Sequence, residues 1–87
     1  MFKKSVKKVV DTSQVIVPDK VIWNEDGSIE IKKSYYYTHS IGKSPKMWAA
    51  AVRSELEANG LSVDVKGRDD YAEWPETSYS TAIVTER

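Results

Sequence analysis

The sequence predicts an α+β fold: an antiparallel sheet of four to five strands, in the chain order β-β-β-α-β-β, with a single helix packed across one face. Three observations predict it. A turn tetrapeptide, Asn24-Glu25-Asp26-Gly27, separates two runs whose apolar residues alternate. Ser44-Pro45 and Asn59-Gly60 bracket one apolar stripe at helical spacing, and further alternating runs follow it.

Residues 1–12 open the chain. Phe2, Val6, Val9 and Val10 recur at helical spacing, with Lys3, Lys4, Lys7 and Lys8 between them. The β-branched valines disfavour an isolated helix this short, so the segment reads as a flexible basic arm or an edge strand. Val15-Ile16-Val17, closed by Pro18-Asp19, reads as a first strand.

In the hairpin, Gly27 suits the left-handed position of a three-residue loop that pairs Asn24 with Ser28. Trp23 then faces Ile29 and Val21 faces Ile31 on one side. Lys20, Ile22, Glu30 and Lys32 share the other. Turn chemistry and alternation select the same register. Continuing the phase puts Lys33, Tyr35 and Tyr37 on the core side, where Lys33 is the misfit. Either it sits at the sheet rim opposite Asp19, or a bulge shifts the phase and buries Tyr36.

The helix follows. Ser44 caps its start, Pro45 occupies the first turn, and Gly60 ends it, with Leu61 placed to touch Leu56. Trp48, Ala49, Val52 and Leu56 form the face that packs on the sheet. Leu61, Val63 and Val65 alternate as a half-buried strand, residues 67–77 read as an irregular acidic and aromatic loop, and residues 79–85 make a last strand.

Composition narrows the functions. A chain of 87 residues reads as one small domain spanning residues 1–87. It has no cysteine, which removes disulfides, thiol nucleophiles and cysteine-based zinc sites, and points to a cytoplasmic setting. No run approaches the length of a membrane span. Net charge is zero, with nine Lys against five acids (+4) in residues 1–46 and four bases against eight acids (−4) in residues 47–87. That balance argues against a dedicated basic nucleic-acid binder, yet leaves a dipolar surface that steers charged partners.

Candidate chemistry is sparse. Gly42-Lys43-Ser44 lacks the glycine a phosphate loop needs at position 37, which is Tyr37. His39, the one histidine, has no orienting partner or nucleophile that a motif places, and no spacing suits a metal. No catalytic residue, metal or cofactor is therefore assigned. Arg68 to Thr77 is the most unusual stretch, with Tyr71 and Trp74 set among Asp69, Asp70 and Glu73. Aromatic anchors with a charged rim suit a protein interface, so these five residues are expected to meet a partner with a basic surface. The expected function is a non-enzymatic protein-binding module, of the kind a phage or mobile element uses as an inhibitor, present as a monomer or homodimer. The alternative is a nucleic-acid or anion binder that uses Lys32, Tyr36, His39, Lys43 and Lys46 around a Lys/Tyr strand and the helix start.

Overall fold

The computed structural model describes residues 2–35, 44–73 and 76–87. Helix α1 (Phe2–Thr12) is followed by strands β1 (Lys20–Trp23) and β2 (Ile29–Tyr35). Helix α2 (Pro45–Ala58) then leads to strands β3 (Val63–Glu73) and β4 (Glu76–Glu86). All pairings are antiparallel, and the strands lie in the order β1-β2-β4-β3. The α+β class and the antiparallel sheet are as the sequence predicts. The element order differs, with two helices and four strands.

The β1–β2 hairpin has the predicted register, Val21 opposite Ile31 and Trp23 opposite Ile29. Its loop is built by Gly27 at φ +93, with Asn24 N–H donating to the Ser28 carbonyl and Asp26 accepting from the Ser28 backbone N–H at 2.8 Å. Lys33 takes the rim position: its ammonium donates to the Val17 carbonyl at 2.8 Å and lies 3.9 Å from Asp19.

Helix α2 also has its predicted ends. The Ser44 hydroxyl accepts from Met47 N–H, and Gly60, at φ +84, lets Gly60 and Leu61 donate back to the carbonyls of Glu57 and Leu56. Trp48, Ala49, Val52 and Leu56 are buried against Ile29, Ile31, Val63, Val65, Ala82 and Val84, all on one face of the sheet. The Trp48 indole N–H donates to the Ile31 carbonyl at 2.8 Å, so its one polar atom is satisfied inside the core.

Three expectations are corrected. Residues 2–12 are a helix instead of an arm or edge strand. Val6 and Val9 are buried in the same core, and that burial supplies what valine's helix propensity lacks. Residues 15–17 are not a strand: the Ser13 hydroxyl accepts from the N–H groups of Val15 and Ile16, only Ile16 is buried, and pairing with β2 begins at Asp19. Residues 67–73 and 76–77 are not loop but extended hairpin, with pairing continuous to Glu73 opposite Glu76.

Candidate functional site

Antiparallel pairing carries the functional side chains to two faces of one sheet. On the face away from the helices, Lys20, Lys32, Thr81 and Arg68 lie in one row across β1, β2, β4 and β3. Ser34, Tyr79 and Asp70 form the neighbouring row. These registers bring Lys32 and Asp70, 38 residues apart, into direct contact.

The resulting cluster is closed. The Lys32 ammonium donates to Asp70 and, at 3.0 Å, to the Thr81 hydroxyl; it lies 3.4 Å from Glu30 and 5.9 Å from the Tyr79 ring centroid. Thr81 in turn donates to Asp70 at 2.6 Å. Arg68 grips both Asp70 oxygens, at 2.8 and 2.9 Å, and reaches Glu30 at 2.8 Å, while Asn24 donates to the second Glu30 oxygen at 3.0 Å. Two cations thus meet two carboxylates, and Lys32 retains only 7% of its exposure.

The titration shifts have the same origin. The Arg68 guanidinium first, then Lys32 and Thr81, hold the Asp70 carboxyl well below the usual carboxylate range. Glu30 is lowered mainly by the Asn24 amide, with Arg68 and Lys32 adding to it, and Arg68 is raised chiefly by its bond to Asp70. No buried side-chain polar atom lacks a partner among the described residues.

This geometry places two of the expected contact residues. Asp70, expected to face a basic partner, is already neutralised by this chain's own Arg68 and Lys32. Lys32, expected to meet phosphates, is held between the carboxylates of Asp70 and Glu30. The two residues, expected on rival surfaces, form one ion pair. Arg68, Glu30, Thr81 and Tyr79, which no sequence motif marks, complete the cluster. Extending strand alternation through residues 67–73 would have placed Arg68 and Asp70 on the Lys32 face.

On the helix side of β3, Asp69, Tyr71 and Glu73 stand at alternate positions and are all exposed, Tyr71 by 60%. The strand places these three on one face. Trp74, Tyr36, His39 and Lys43 lie outside the described residues. Lys46 is exposed in the first turn of α2, beside a groove of about 580 Å³ between α2 and β3. α2 comes down onto β3 at Gly67, where a Cβ would sit 2.5 Å from the Pro45 carbonyl oxygen.

The arrangement offers surfaces for contact. Among the described residues no group of three His, Cys, Asp or Glu side chains is placed to hold a metal ion, and no helix is long and apolar enough to cross a membrane. No family model, no curated protein and no solved structure matches this chain.

Proposed function

We propose a non-enzymatic protein-binding module that occupies a basic surface of a macromolecular partner, as a small inhibitor carried by a phage or other mobile element would. One observation carries the reading: Asp69, Tyr71 and Glu73 stand exposed in one row on the β3–β4 hairpin, an aromatic ring between two acids. The Lys32–Asp70–Arg68 cluster on the reverse face of the hairpin ties β3 to β4 and β2. A preorganised ring within a charged rim loses little freedom on docking.

Charge placement supports the same reading. The acids of residues 69–77 occupy the end of β4 at Glu76, while Phe2 and Lys3 of α1 line a groove beside Glu86 at its other end. Lys3, Lys4, Lys7 and Lys8 are all exposed. Such a dipole presents the hairpin to a positive surface and turns the lysines away from it.

Affinity capture from the native host, reporting protein and nucleic acid separately, tests the proposal. The expected result is a protein recovered by the wild type and lost with Tyr71→Ala/Trp74→Ala. Unchanged capture by that variant rejects the hairpin as the site. A second reading, anion binding, is favoured by the lysines of α1 together with Lys46. Titration with single-stranded RNA and DNA at two salt concentrations decides it, since phosphate contacts must weaken as salt rises.

A further inference from the structure

We infer that the solvent face of α1 binds the phosphate backbone of a nucleic-acid duplex, with Lys4 and Lys8 as its principal contacts. The inference rests on the anion-binding reading above, which it confines to one helix and one class of ligand.

This face works against the fold. Lys3, Lys4, Lys7 and Lys8 are all exposed on an 11-residue helix whose first turn holds no acid. Lys3 and Lys4 stand at the positive end of the helix dipole, and the pairs Lys3–Lys7 and Lys4–Lys8, one turn apart, repel each other. Compensation is partial. Lys7 reaches Asp11 at 2.7 Å, and Lys3 borders a groove shared with Asp26 and Glu86. Lys4 and Lys8 meet no acid among the described residues. A polyanion laid on this face turns the repulsion into attraction.

The burial pattern selects the ligand. Val6 and Val9 are buried in the core and Phe2 and Val10 pack against it, so the apolar side of α1 is already taken. A lipid surface receives an amphipathic helix by that side. A protein interface is anchored by aromatic or other apolar side chains, and the exposed face of α1 offers none. Phosphates need neither. Lysine meets them as a point charge, and Lys4 and Lys8 lie roughly 6 Å apart along the helix axis. The buried valines hold the array in place, which suits the fixed phosphates of a duplex better than a single strand that must first be ordered. Such contacts read no bases, so affinity is independent of sequence and governed by salt. Phe2 and Lys3 border Thr85 and Glu86, at the end of β4 remote from Glu76, so a partner held at Tyr71 leaves the lysines open.

Titration of the full chain with a short mixed-sequence duplex, its separated strands and anionic phospholipid vesicles, between about 50 and 200 mM salt, tests this. The expected result is tightest binding to the duplex, weakening as salt rises. Lys4→Gln/Lys8→Gln should reduce the log–log salt slope by roughly 2 and low-salt affinity by roughly tenfold or more. The same variant should melt no lower than wild type, because its substitutions relieve repulsion. Lys66→Gln, exposed on the opposite face of the sheet, leaves slope and affinity as they were. No duplex binding at low salt overturns both this inference and the anion-binding reading. Binding that is lost with Lys46→Gln and kept by the α1 pair preserves that reading and overturns its placement on α1. Tighter binding to single strands or vesicles overturns the choice of ligand, and weaker binding that comes with a lower melting temperature overturns the inference as well.

Discussion

Lys32 ends a long apolar stem between the carboxylates of Asp70 and Glu30, and that geometry ranks the substitutions around it. Asp70→Asn removes the anion that both cations share, leaving a nearly buried ammonium with Glu30 alone; the expected cost is about 1–3 kcal/mol. Lys32→Met leaves Asp70 and Glu30 both held by Arg68, so its cost should be below about 1 kcal/mol. Urea midpoints of the two variants check the order. The acid dependence has a definite sign. The Asp70 carboxyl is lowered by folding, so its contribution is complete above the ordinary aspartate value of about 4 and is lost as pH falls toward its folded value. The stability gap between wild type and Asp70→Asn should therefore be widest above about pH 5 and shrink steadily in more acid buffer. A gap that is flat from neutral pH into acid would contradict the paired geometry.

Each element shows how far local signals reach. The β1–β2 register and both ends of α2 were legible because each is set within a few residues: Gly27 by its loop, Ser44 by Met47, Gly60 by Leu56 and Glu57. Replacing Gly60 with Ala forces a side chain into positive φ and should cost roughly 1 kcal/mol, read by thermal melting. Helix α1 was not legible, because its valines are helical only when Val6 and Val9 find the core. Its charges also oppose its own dipole, with Lys3 and Lys4 in a first turn that holds no acid. Lys4→Glu should consequently stabilise the protein by about 0.3–1 kcal/mol, read as a higher melting temperature. The distal half of β3 was hidden for the opposite reason. Residues 68–73 bury no large apolar side chain, so alternation had nothing to mark, and the bond between Lys32 and Asp70 spans 38 residues that no local pattern connects. Of the candidate site, the row Asp69, Tyr71 and Glu73 was readable as composition; its separation from Asp70 required the pleat.

Over the whole molecule, the order β1-β2-β4-β3 gives the last element a central place. β4 pairs with β2 along one side and with β3 along the other, and it supplies Thr81 to the ion cluster and Ala82 and Val84 to the core. The β2–α2–β3 segment therefore encloses a slot that only the following strand can fill. During synthesis, everything from α1 through β3 emerges from the ribosome before the strand that joins its two halves exists. A chain cut after residue 75 should remain largely unfolded by circular dichroism, and a peptide of residues 76–87 added in trans should restore the sheet signal. Protein made at the ribosome thus stays open until β4 has emerged, and it acquires the edge that Tyr71 occupies only at the moment of closure.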